Sequence, residues 1–189
     1  MNNTIEPPPK RLKKYRKYLG PSQFAVVLGL DDYQTAESLK DEIENGYVPS
    51  STYATQYGND NESIAIYYYQ KLYNVATQKP LFVVDMNNKH IGGICDALID
   101  EETGLEIKCH IKDENLLTKI PMKYLLQLAG YMYLYKRKKW ILMSATFNGD
   151  KTLNKYVVHT VTWDQVKDQW EQLWYPKIIQ YVDAVKWVS

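Results

Sequence analysis

"IGGICDALIDEETGLEIKCHI", residues 91–111, decides the fold. Two runs rich in pleat-favouring residues flank "DEETG" at 100–104, so the stretch reads as an antiparallel hairpin. Strand side chains alternate, which puts Glu106 and Lys108 on one face of the second strand and Ile107 and Cys109 on the other. A turn centred near residue 102 sets Asp96 opposite Lys108, so Asp96, Glu106 and Lys108 are expected to share a face, with Cys95 on the opposite one. Charges inside otherwise apolar strands are costly unless paired or bound to a metal. A cross-strand ion pair of Asp96 with Lys108 would satisfy them without any chemistry. A hard divalent cation would also do so, because Mg²⁺ is held by one or two carboxylates together with substrate phosphate and water. Lys108 would then polarise an attacking water or offset charge building on phosphorus.

On either side of the hairpin the chain alternates helix and strand patterns. "GPSQFAVVLGLDDYQTAESLKDEIENG" (20–46) suggests two short helices separated near Gly29 to Asp32, the first capped by Ser22. Asn59 to Asn61 read as cap candidates for a helix over 60–74, with Glu62 in its first turn. "LFVVD" (81–85), "KWILMSATF" (139–147) and "KYVVHTVTW" (155–163) read as further strands. "PMKYLLQLAGYMYLYKRKK" (121–139) reads as a helix opened by Pro121, with Leu125, Leu128, Met132 and Tyr135 as its apolar stripe. A last amphipathic helix near 164–188 is expected to bend or break before Pro176. The whole is an α/β (α+β) domain with a central mixed β-sheet flanked by helices, in a single unit over 10–189 behind a flexible proline-containing tail at 1–9.

Composition narrows the function classes. The chain has 189 residues, 45% apolar and 24% charged, and no apolar run of the roughly 18 residues a membrane span needs. No secretory signal opens it, so it reads as a soluble intracellular protein. Two cysteines are too few for a disulfide framework, and a zinc module of Cys95, Cys109, His90 and His110 lacks any Cys-x-x-Cys pair. A net charge of +1 leaves nucleic-acid binding to two local patches. These are "KRLKKYRK" (10–17), with Lys13, Lys14 and Arg16, and "KRKK" (136–139), with Lys136 and Arg137.

Taken in order, "LGPSQFAVVLGLDDYQT", "GNDNE", "GGICDALID", "LEIKC" and "YLLQLAGYM" resemble the PD-(D/E)xK nuclease superfamily, and within it the YqaJ-like viral recombinase nucleases typified by phage lambda exonuclease. The resemblance implies a restriction-endonuclease-like core with Asp96 and Glu106 as metal ligands, the Ile107 carbonyl assisting and Glu62 acting on a second metal or through water. It makes Lys108 the activator of the nucleophilic water and Gln127 a residue that orients that water or Lys108. Tyr124 and Tyr131 share the Gln127 face of the helix and are assigned to packing. Ser22 matches the first serine of a pocket for a 5′ phosphate, whereas Ile94 stands where the family often has a second serine. The activity implied is a Mg²⁺-dependent exonuclease, with Mn²⁺ as substitute, acting 5′ to 3′ on linear double-stranded DNA in viral recombination, replication or repair. A single-strand annealing protein is the implied partner, and rings of identical subunits the implied assembly. An endonuclease or resolvase with the same site, and a non-catalytic DNA-binding protein on the same fold, are the alternatives. A viral origin would place the protein in the host cytoplasm or nucleus.

Overall fold

The computed structural model describes residues 16–46 and 52–187. The expected tail at 1–9, and with it Lys13 and Lys14, lies outside the described residues.

The core is a four-stranded sheet in the order β3 (Ala97–Leu98), β4 (Thr103–His110), β5 (Lys139–Phe147), β6 (Leu153–Thr162). β4 and β5 run parallel and the outer pairs antiparallel, so the sheet is mixed as expected. A parallel neighbour requires a crossover, and α4 (Met122–Tyr135) supplies it. A separate two-stranded ribbon, β1 (Val83–Val84) with β2 (Gly92–Gly93), leads into the hairpin.

The sequence reading of the hairpin is off by two residues. Ala97 pairs with Leu105 and Leu98 with Gly104, and the Ile99 N–H closes the turn on the Thr103 carbonyl. The turn is therefore centred on Glu101, and Asp96 stands level with Glu106 rather than Lys108. A slip of two preserves every face, because the side-chain period is two. The strand read at 90–100 is also interrupted: between β2 and β3 the backbone leaves the ladder, and the hydroxyls of Tyr131 and Tyr135 bond the Ile94 carbonyl and the Cys95 N–H instead. Gly104 is fixed by crowding, since a β-carbon there would collide with the fully buried Trp140 ring.

Two cores sandwich the sheet. On one side Leu105 and Ile107 of β4, with Met143 and Ala145 of β5, pack against Ala65 and Tyr69 of α3 (Tyr53–Tyr73), and half-buried Cys109 joins them. On the other, Leu142 and Trp140 meet α4, α1 (Phe24–Val27), α2 (Ala36–Asn45) and the C-terminal helix. Cys95 belongs to this second cluster, so the expectation that both cysteines face the same way is corrected. α4 is buried on more than the expected stripe, with Leu126 to Met132 all inside.

Helix α3 begins seven residues earlier than the sequence suggested. Thr52, not Asn59 to Asn61, is its cap and accepts from the Thr55 N–H. Asn61 sits inside the helix with its amide on the Tyr57 carbonyl. Ser22 is likewise no cap, lying within a 3₁₀ turn (Pro21–Gln23) ahead of α1. The C-terminal helix does not break at Pro176. α5 (Trp163–Gln169) runs through a π-turn (Trp170–Trp174) straight into α6 (Tyr175–Ala184), and the wider turn absorbs the hydrogen bond that proline cannot donate. Among the described residues, no helix is long and apolar enough to cross a membrane.

Candidate active site

A cavity of about 830 Å³ opens between α3 and α4 over the edge of β4. Glu62, Asp96, Glu106, Ile107, Lys108 and Gln127 all line it. These are the six residues that the sequence singled out for catalysis or metal binding, brought together from α3, the β3–β4 hairpin and α4. Ser22 lies on its wall as well.

The geometry centres on Glu106, which is 3% exposed. Its Oε1 accepts from Lys108 Nζ at 2.7 Å and from Gln127 Nε2 at 2.6 Å. Its Oε2 is buried and has no hydrogen-bond partner among the described residues. Gln127 therefore holds the Glu106 carboxylate, beside Lys108 on the same oxygen. Asp96 closes the ladder beyond β3: its Oδ2 accepts the Ile107 N–H at 2.7 Å. The N–H and C=O of one strand residue point the same way, so the Ile107 carbonyl projects from that same edge, past the end of β3.

The electrostatics are those of an acid cluster short of positive charge. Burial, followed by the negative charges of Glu106 and Glu62, pushes Asp96 up to about 8 against the pull of the Ile107 N–H and Lys108. Burial and the Glu106 charge likewise raise Glu62, with Lys108 opposing. For Lys108 burial acts downward, but the Glu106 charge and hydrogen bond, with Asp96 and Tyr124, outweigh it and the ammonium is held above its usual range. One ammonium among three carboxylates leaves the site deficient in positive charge, and a divalent cation is the group that corrects this. The residues fit one: two carboxylates and a carbonyl are a donor set of oxygen only, and Glu106 Oε2 is a buried acceptor in want of a partner. Among the described residues, no three of His, Cys, Asp and Glu gather closely enough to hold a metal ion by themselves.

Other expected residues fall elsewhere. Arg16 pairs with Glu42 at 3.5 Å. Lys136 ends α4 in a left-handed conformation with its ammonium 4.3 Å from the Tyr133 ring centroid. Lys136 and Arg137 line a second pocket of about 360 Å³ with Trp163 and Trp170, roughly 15 Å of helix away from Gln127. Tyr131 stacks on Trp140, as packing requires, and it also lines the cavity. Tyr124 does more than pack: it lines the cavity, and Lys108 Nζ lies 5.1 Å from its ring centroid. Sequence reasoning missed Lys123 and Tyr33 on the cavity wall, and named His110, also on that wall, only in the rejected zinc module. Lys123 was within reach, being four residues before Gln127 on the same helical face, whereas Tyr33 carries no local signal.

The model of the YqaJ-like viral recombinase domain matches residues 12–138. No curated protein sequence matches the chain. Among solved structures, an alkaline exonuclease (LHK-Exo) from Laribacter hongkongensis superposes with a TM-score of 0.68 at 17% identity, covering 89% of this chain and 90% of that one. The same protein in complex with dAMP gives 0.70 with the same identity and coverage. A phage-related exonuclease from Haemophilus somnus gives 0.60 at 16% identity, covering 89% of this chain and 97% of that one. At these identities the likeness establishes the nuclease-type fold, and the family match covers most of the chain. The chain belongs to the YqaJ-like viral recombinase domain family.

Proposed function

We propose that the protein is a divalent-metal-dependent DNA exonuclease that hydrolyses phosphodiester bonds from the ends of linear duplexes, 5′ to 3′, in viral recombination, replication or repair. The observation that carries this reading is the divided Glu106 carboxylate, one oxygen clamped by Lys108 and Gln127 and the other buried, without a partner among the described residues, beside Asp96 and Glu62. Family membership and the exonuclease names of the structural neighbours support it.

In this reading Asp96, Glu106 and the Ile107 carbonyl hold Mg²⁺, or Mn²⁺ in its place, and Glu62 acts on a second ion or through water. The metal supplies Lewis acidity at the phosphoryl oxygens and lowers the pKa of water. Lys108 holds the attacking water and offsets charge on phosphorus. Gln127 keeps Glu106 from turning, and the cavity wall at Ser22 meets the terminal phosphate. Lys13, Lys14, Arg16, Lys136 and Arg137 contact duplex phosphates, giving affinity without base readout. A single-strand annealing protein as recipient of the product strand, and a ring of identical subunits around DNA, complete the proposal.

The test is digestion of end-labelled linear duplexes, with and without a 5′ phosphate and with and without Mg²⁺, beside a closed circle. Shortening of linear DNA alone, only with metal, from the 5′ end is the expected result. Cleavage of the circle would make the protein an endonuclease. A gel shift in EDTA with no digestion in metal would make it a binding protein.

A further inference from the structure

From Glu106 outward, cations and aromatic rings alternate along one wall of the cavity. Lys108 Nζ lies 2.7 Å from Glu106 and 5.1 Å from the Tyr124 centroid. Lys123 Nζ comes next, 5.7 Å from the Tyr124 centroid and 5.4 Å from that of Tyr33. Tyr33 ends the series at the cavity mouth, 91% exposed. Its loop is nonetheless held in place. Asp31 Oδ1 accepts from the N–H groups of Tyr33 and Gln34 at 2.9 and 3.0 Å, and Asp32 lies 3.8 Å from Lys123. A large aromatic ring presented to water on a tethered loop, with an ammonium over it, is a surface that folding alone does not require.

Size decides what could lie on it. At about 830 Å³ the cavity is in the range of small-molecule clefts, so one strand rather than a duplex reaches Lys108. The nucleotide at the mouth has therefore left its complement, and its base has faces free to stack. Aromatic rings beside cations are the general means of holding such bases, because every base has a π-face and every nucleotide a phosphate.

Resting on the nuclease reading above, we infer that Tyr33 and Lys123 form a subsite for an unpaired nucleotide of the DNA strand, the base stacked on the Tyr33 ring and its phosphate against the Lys123 ammonium. The subsite selects for ends that fray or carry a single-stranded extension, and it is indifferent to base identity.

The test uses a linear duplex with a short single-stranded extension, carrying a fluorescent adenine analogue at each extension position in turn. In EDTA, wild-type protein should quench the analogue at one position. Tyr33→Ala should lose that quench and, in Mg²⁺, raise KM about tenfold, the order of one lost base–ring stack. Tyr33→Phe and Tyr33→Trp should keep both properties, since the ring face and not the hydroxyl is used. An abasic nucleotide at the quenched position should raise the wild-type KM to that of Tyr33→Ala. A Tyr33→Ala protein with wild-type quench and KM, or Tyr33→Phe failing as Ala does, would overturn the subsite. Wild-type protein that quenches the analogue but never cleaves would instead sink the nuclease reading and leave the subsite standing.

Discussion

Lys108 and Gln127, on different elements and 19 residues apart in sequence, donate to the same oxygen of Glu106 at 2.7 and 2.6 Å. One donor carries charge and the other does not. Gln127→Met removes the neutral donor at nearly constant volume, and groups that orient metal ligands typically contribute about 10- to 100-fold. The Mg²⁺ concentration for half-maximal cleavage should rise by about that factor. An unchanged metal titration would mean that the Gln127 contact does not serve the metal.

Lys108→Ala should cut turnover by about 10²- to 10⁴-fold, the usual range for a positioned proton-transfer group, while leaving DNA affinity in place. Single-turnover cleavage alongside a gel shift separates the two quantities. Digestion at the wild-type rate would end the proposed role of the lysine.

The raised value of Asp96 makes the metal-free protein pH-sensitive in a defined direction. Its ordinary value is 3.8 and its folded value about 8, so the folded state holds the proton more tightly than the unfolded chain does. Stability from this group is full below 3.8 and is lost as pH rises through about 8. Glu62, also raised, acts in the same direction. In EDTA the melting temperature should fall across this window, and Asp96→Asn should melt higher than wild type at pH 8. Saturating Mg²⁺ should narrow the gap. A wild-type melting temperature that climbs with pH in EDTA would contradict the acid cluster.

Gly104→Ala tests the hairpin. The new methyl meets the Trp140 ring, which is fully buried and cannot move aside. Overpacking of this kind costs about 1–3 kcal/mol, or a few degrees in melting temperature for each kcal/mol at this chain length. A melting curve equal to wild type would show that β4 and β5 can shift apart there.

Lys136→Ala and Arg137→Ala address the second basic patch. If each side chain meets a phosphate, each change should lower the slope of log affinity against log salt by about one unit. Unaltered slopes would remove the C-terminal end of α4 from the DNA path.

Long periodic elements and the convergence of Asp96, Glu106 and Lys108 on one cavity were legible in the sequence, while junctions were not. β5 spans the stretch read as its strand, and the mixed sheet follows from the alternation of patterns. Asp96, Glu106 and Lys108 were placed on one face despite a wrong register, because parity survives a shift of two. The start of α3 was misread because Gly58 and Asn59 to Asn61 look like a cap, whereas tertiary packing carries the helix through them. The break between β2 and β3 depends on hydroxyls of Tyr131 and Tyr135, some 40 residues away, and no local pattern reports it. Tyr33 reaches the cavity only because α1 and α2 fold back, which is likewise invisible in a linear reading.

The π-turn at Trp170–Trp174 gives the last third of the chain a place that absorbs a change of length. It is in effect one extra residue wound into an otherwise α-helical rod, and its five residues turn through about the same angle as four of α-helix. Excising exposed Gln172 would therefore leave both flanks near their present phase. A deletion inside α6 has no such slack: it would rotate everything beyond it by about 100° and swing Ile178 and Val182 from the interior toward water. One-residue deletions should be tolerated better within Trp170–Trp174 than within Tyr175–Ala184.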